Sequence, residues 1–191
     1  MKKIILPLIL TIVIFTLIFS SCKPSFDKQI NQLDSTISLI ETDSINLSKF
    51  TLEVVQAKYN DYKIINKKLD SLYDFNKKDS NWMLLTNFKD IEKPLRKHTN
   101  RYKKIVEDYS FLHNQLITLK KDLIEKNINK KEAESYLKIE TEDANRFHFG
   151  AEKYYKLMTI EFAKFDTLSP KVNLLIQQIN SSPKKSYKKK K

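Results

Sequence analysis

The sequence predicts an all-α protein. Its body is an elongated antiparallel bundle of three long helices, four if the first one breaks, with coiled-coil-like seams, set between an N-terminal signal helix and a disordered basic tail. Three observations carry this. There is a single glycine in 191 residues, which leaves too few flexible joints for a turn-rich β domain. Apolar residues recur at steps of three and four over most of the chain, the spacing of one helix face. No stretch alternates apolar and polar residues over the length of a strand.

The elements follow in chain order. Phe26, Ile30, Leu33, Ile37 and Ile40 step by four and three and begin the first helix, expected over about 26–75. The stripe weakens at Thr42, Asp43 and Ser44, whose short polar side chains could compete for backbone hydrogen bonds or cap a new helix, so the reading is one long helix, with a break near 42–44 left open. It resumes through Leu47, Thr51 and Val54, drifts by one residue, and continues at Val55, Tyr59, Tyr62, Ile65, Leu69 and Leu72. Residues 76–81 are polar and form a connection, with Ser80 a candidate N-cap. Trp82, Leu85 and Phe88 open the second helix, which Pro94 should kink or divide from a short leading helix. Leu95, His98, Tyr102, Ile105, Tyr109, Leu112, Leu116, Leu119 and Leu123 then keep the heptad steps without a fault, as a coiled-coil seam does.

A turn is expected at 126–129, and Asn129 followed by Glu132 has the spacing of a capping box. The third helix carries Ala133, Leu137, Ala144, Phe147, Ala151, Tyr154, Met158, Phe162 and Phe165, with Glu140 interrupting the stripe. Ser169 and Pro170 read as an N-cap with proline at the first helical position, so a short final helix with Val172, Leu175, Ile176 and Ile179 should restart there. The residues from 181 onward lack apolar periodicity, and disorder is the expectation.

The first 22 residues fix the expected location. Lys2 and Lys3 precede an apolar run over 4–19, broken only by Thr11 and Thr16 and containing Pro7. That run is shorter than the ~20 residues needed to cross a bilayer core. A basic start, a short apolar core and small residues before a cleavage point describe an export signal. Ser20 and Ser21 are the small residues, and Cys22 follows them. This segment resembles the lipobox of bacterial lipoproteins. The resemblance implies cleavage between Ser21 and Cys22, a diacylglycerol thioether on Cys22, and usually acylation of the new amino group. The domain reading is then a signal peptide (1–21), a lipidated tether (22–25), a helical bundle (26–180) and a Lys-rich tail (181–191). The alternatives are an uncleaved anchor and ordinary secretion. Lys23 follows Cys22 where some bacteria place Asp to retain lipoproteins on the inner membrane, so the outer membrane is the expected site. Cys22 is the only cysteine, so no disulfide forms within the chain.

The net charge is +12, but little of it belongs to the bundle. Lys2 and Lys3 leave with the signal, and Lys184, Lys185, Lys188, Lys189, Lys190 and Lys191 form the tail, so residues 22–183 hold only +4. Nucleic-acid binding is not expected of such a distribution. The tail has three readings: a solvated end, a polyanion contact with anionic lipid or cell-wall polymer, and a covalent link. The third rests on a resemblance to the Braun lipoprotein family, whose lipidated cysteine, helical body and final lysine imply attachment of Lys191 to peptidoglycan.

No catalytic constellation emerges. His98 lies on the seam, and His113 and His148 lie beside it. A bundle di-metal site wants Glu three residues before His, whereas Leu95, Ser110 and Asn145 stand there, so no metal and no cofactor are expected. One glycine excludes a Gly-x-Ser-x-Gly nucleophile turn. Gly150, beside Ala144 and Ala151, suggests close approach of a neighbouring helix, or a hinge. Tyr154, Tyr155, Phe162 and Phe165 read as core, or as the lining of a cleft. The expected function is a non-catalytic spacer or interaction module held on a bilayer through acylated Cys22, with peptidoglycan or an envelope protein as partner. The alternative is a periplasmic domain that binds a ligand or a cell-wall polymer.

Overall fold

The structure, a computed structural model, describes residues 25–74 and 80–181. Five α-helices account for nearly all of them: α1 (Asp27–Leu47), α2 (Leu52–Leu72), α3 (Trp82–Lys89), α4 (Glu92–Glu125) and α5 (Lys130–Ser181). A single 3-10 turn, Ser48–Phe50, joins α1 to α2. No strand occurs among the described residues. The chain passes along the bundle three times, as α1 with α2, as α3 with α4, and as α5 alone. At 1.5 Å per residue, the 52-residue α5 spans about 78 Å and sets the length of the rod.

Local chemistry explains most boundaries. The first break falls at residues 48–51, not at 42–44, where the backbone stays helical. The hydroxyl of Thr42 bonds to Ser38 O within the helix and Asp43 turns into the core, so neither side chain diverts the backbone. Thr51 supplies the extended backbone of an N-cap, and its hydroxyl accepts from Val54 N–H. The apolar stripe restarts one residue late for the same reason, with Val55 buried and Val54 exposed. Asn81, not Ser80, holds the N-cap position of α3. Pro94 sits in the first turn of α4, where a missing N–H costs nothing, and a short α3 precedes it as the proline signal implied.

The α4–α5 turn carries two interlocking devices. Lys126 adopts the left-handed conformation (φ 57°), with Lys126 N–H donating to Leu123 O and Asn127 N–H to Asp122 O at 2.9 Å, the pair of bonds that closes a helix C-terminus. Asn129 and Glu132 then form the expected capping box. Asn129 N–H donates to Glu132 Oε2 at 2.9 Å and Glu132 N–H to Asn129 Oδ1 at 3.0 Å.

One expectation fails at the other end. Ser169 and Pro170 do not start a new helix, because α5 runs unbroken through Pro170 to Ser181. The Ser169 hydroxyl, buried, donates to Phe165 O in the preceding turn of its own helix and so caps no new helix beyond it. The apolar face is nevertheless as expected, with Val172, Leu175 and Ile176 buried and the helix held by that burial.

Two apolar clusters divide the core along its length. The first unites Phe26, Leu33, Ile37 and Ile40 of the first pass with Leu112, Leu116, Leu119 and Leu123 of α4 and Ala133, Leu137 and Ala144 of α5. The second unites Val55, Tyr62 and Leu69 with Leu85, Phe88, Ile91 and Leu95 and with Tyr154, Met158, Phe165, Val172 and Leu175. Phe26 therefore lies at the end of the rod that holds the α4–α5 turn, and Ile179 lies with Tyr73 and Leu84 at the other. Ser25 and Ser181 emerge from opposite ends.

Candidate functional site

Cys22, Ser21 and the six tail lysines, Lys184, Lys185, Lys188, Lys189, Lys190 and Lys191, lie outside the described residues. What the described residues offer instead is a polar waist where the two apolar clusters meet, flanked by grooves along α4 and α5.

The waist is built from residues on seam positions. Asp43 stands three residues after Ile40 and four before Leu47, so its 2%-exposed carboxylate turns inward. Its Oδ2 lies 2.8 Å from His148 Nδ1 on α5. Burial pushes the Asp43 carboxyl above its ordinary range; the hydrogen bond and charge of His148 oppose that rise, and Glu152 adds to it. A second histidine ties α1 to α4, with His113 Nε2 3.2 Å from Glu41 Oε1 on the surface.

His98 is the third and the most buried, 2% exposed on the α4 seam. It is hydrogen-bonded at Nδ1 to the Tyr154 hydroxyl, lies tilted against the Tyr102 ring at 5.3 Å, and has the backbone of Thr51 as a further partner. Burial pushes its imidazole down to about 4, against the opposing pull of the Thr51 backbone. A neutral ring suits this setting, since one ring nitrogen can accept from Tyr154 while the other carries the proton. His98 thus serves the break between α1 and α2, where the Thr51 backbone meets the core.

These contacts tie the three passes of the bundle together at the waist. A carboxylate–imidazole pair is one part of a general acid–base site. The ring of His148, however, contacts Asp43 and Phe149, and His98 is sealed from solvent. Among the described residues, no group of three or more His, Cys, Asp or Glu is placed to hold a metal ion. Glu161 is the other buried acid, 5% exposed, with Oε1 2.8 Å from Lys164 Nζ and Oε2 unpartnered. Its spacing from Met158 and Phe165 marks it as a seam position, a signal that an apolar stripe along α5 does not include.

Of the third-helix aromatics, Tyr154 and Phe165 are core, with Tyr155 and Phe162 packed against it. Phe162 packs edge-on against Phe50 at 5.2 Å, Phe165 lies 6.3 Å from Phe88, and Tyr154 meets His98. Phe147 lines one cleft, and Tyr136 another farther toward the α4–α5 turn. The first, about 450 Å³, runs between α4 and α5 beside Lys104, Asp108, Phe111, Asp143, Arg146 and Gly150. Gly150 corrects the close-approach expectation, since a Cβ there would meet nothing within 4 Å. The residue is exposed on the wall of the cleft, and the helix runs through it without a hinge. A further groove, about 390 Å³, lies nearer the Ser181 end and is lined by Lys89, Lys93, Arg96, Lys97 and Arg101, by Asp90 and Glu92, and by Pro94 and Leu157.

No helix among the described residues is long and apolar enough to cross a membrane. The class that the fold defines is an elongated three-pass helical bundle. Compared with known families, curated proteins and solved structures, the chain matches none.

Proposed function

We propose that this protein is a lipid-anchored lipoprotein of the bacterial cell envelope whose helical rod acts as a non-catalytic spacer or interaction module. The observation that carries the reading is the run of residues 1–22, an export signal of lipobox type ending at the chain's only cysteine. Thioether-linked diacylglycerol at Cys22, with a further acyl chain on its amino group, would hold the protein on a bilayer almost permanently, at ~0.8 kcal/mol per buried methylene. The rod supports the spacer role. Ser25 leaves one end and Ser181 the other, so a tethered chain would carry its far end most of α5's length, about 78 Å, from the bilayer.

The outer membrane is the proposed location, from Lys23 at the position after the cysteine. Ser181, from which the Lys-rich residues follow, would then lie at the end away from that membrane, toward the cell wall or an envelope partner. The 450 Å³ cleft beside Phe111, Phe147 and Gly150 favours one second reading, a domain that binds a ligand or a cell-wall polymer there. Mass spectrometry of the mature N-terminus tests the main proposal. A diacylglyceryl-cysteine at position 22 is the expected result, and a free thiol there overturns it.

A further inference from the structure

The body of this protein is nearly neutral, yet its positive charge is gathered in one place. The described residues carry 24 Lys and Arg against 22 Asp and Glu, a net of +2. Residues 89–104 alone hold seven bases and two acids, a net of +5, so the remainder of the rod is net negative. Within this stretch Lys93, Lys97, Arg101 and Lys104 stand at helical steps of four, four and three on one flank of α4. They cover about 16 Å along the rod at 1.5 Å per residue.

Elsewhere many cations are matched with carboxylates: Lys58 with Asp166, Lys120 with Asp34, Lys156 with Glu152 and Lys164 with Glu161. In the α4 groove Lys89 is held by Asp70 at 2.7 Å, and Glu92 takes up Arg96 at 3.8 Å. Lys93, Lys97 and Arg101 have no carboxylate within 4 Å among the described residues. They rim a concave site of about 390 Å³ whose half-buried floor includes Pro94 and Leu157.

We infer that this groove binds a linear phosphodiester-linked polyol or glycan chain lying along α4. The cations recur about every 6 Å down one flank, which suits an extended chain with repeating phosphates; Arg101 can take a phosphate with two parallel hydrogen bonds. Pro94 and Leu157 give the carbon-bearing face of such a chain an apolar surface, which bare ions would not use. A flat bilayer fits less well, because the stripe runs along the side of the rod and not across its tip. The inference does not rest on lipid attachment at Cys22.

The test uses the full-length protein in detergent and poly(glycerol phosphate) as probe. Binding is measured by titration at several salt concentrations. The reversal Lys93→Glu, Lys97→Glu and Arg101→Glu should weaken binding at least tenfold and flatten the salt dependence, as lost counterion release requires. Reversal of Lys121, Lys130 and Lys131, beside the α4–α5 turn, changes net charge equally and should leave affinity within twofold. Circular dichroism confirms that both variants are folded, and neutral Lys93→Gln, Lys97→Gln and Arg101→Gln substitutions should give an intermediate loss. The same contrast should persist when the six tail lysines are glutamine. Unchanged binding of the groove variants overturns the inference. So does an equal loss in the control, tighter binding of single-stranded DNA than of the polymer, or phosphatidylglycerol vesicles showing the same dependence on these three residues.

Discussion

Gly150 and Lys126 stand in the wrong places for their chemistry, and both positions are informative. The backbone at Lys126 has φ 57°, a conformation that costs a side-chain-bearing residue about 1–2 kcal/mol and glycine nothing. Lys126→Gly should therefore stabilise the fold by up to ~1 kcal/mol once glycine's greater freedom in the unfolded chain is set against it. Gly150, by contrast, is helical, exposed and uncrowded. Gly150→Ala should stabilise by a similar amount through helix propensity. Urea titration of each variant checks both, and a loss of stability in either would mean the backbone or the cleft wall is not as described.

His98 carries the clearest pH dependence. Its imidazole falls from about 6.5 in the unfolded chain to about 4 in the fold, so between those values the unfolded state binds more protons. Stability is then fully present above pH 6.5 and is lost as the pH falls toward 4, by a total on the order of 3 kcal/mol. Asp43 has the opposite sign. Its raised carboxyl favours the fold at low pH and loses that contribution as the pH climbs from 3.8 through its folded value. Asp43 protonation therefore offsets part of the His98 loss as the pH falls. Chemical denaturation from pH 4 to 7 should give the rising slope, and His98→Gln should remove most of it; a pH-independent wild type would contradict the sealed, neutral ring.

At the scale of elements, stability comes from seams and turns. Leu33 and Leu116 are fully buried in the cluster near the α4–α5 turn, and truncating either to Ala should cost about 2–5 kcal/mol. The Asn129 box is on the surface, so Asn129→Ala should cost only about 1 kcal/mol. Thermal unfolding ranks the two, and an inverted order would show that the cap, not the core, limits the bundle.

The same contrast explains what could be read from the chain alone. The heptad steps of α4 and the capping box were plain, because regular spacing and a local reciprocal pair depend on near neighbours only. The position of the first break was not. Thr42, Asp43 and Ser44 look like breakers, but a partner 105 residues away, His148, takes up Asp43 and leaves the helix intact. Pro170 misled for a related reason. Burial of Val172, Leu175 and Ile176 keeps the helix going through a residue that locally ends one. Polar seam residues such as Glu161 were legible in spacing but hidden by their type.

For the whole molecule, polarity along the rod is the consequence that matters. Ser25, the α4–α5 turn and the first apolar cluster lie together at one end, while the groove of Lys93, Lys97 and Arg101 lies near the middle of the rod, beside Leu157 of α5. With the proposed anchor at one end, a row of cations partway along the rod would suit a part that joins a bilayer to something anionic at a distance. The candidate site was the least legible part of the sequence, because six tail lysines drew attention away from +5 charges on a folded helix.

The most direct measurement is metabolic. Cells expressing this chain with a labelled fatty acid should place the label on the polypeptide and hold it in the membrane fraction, and Cys22→Ser should abolish both. A product that carries no label and fractionates as a soluble protein with Cys22 intact would contradict the account.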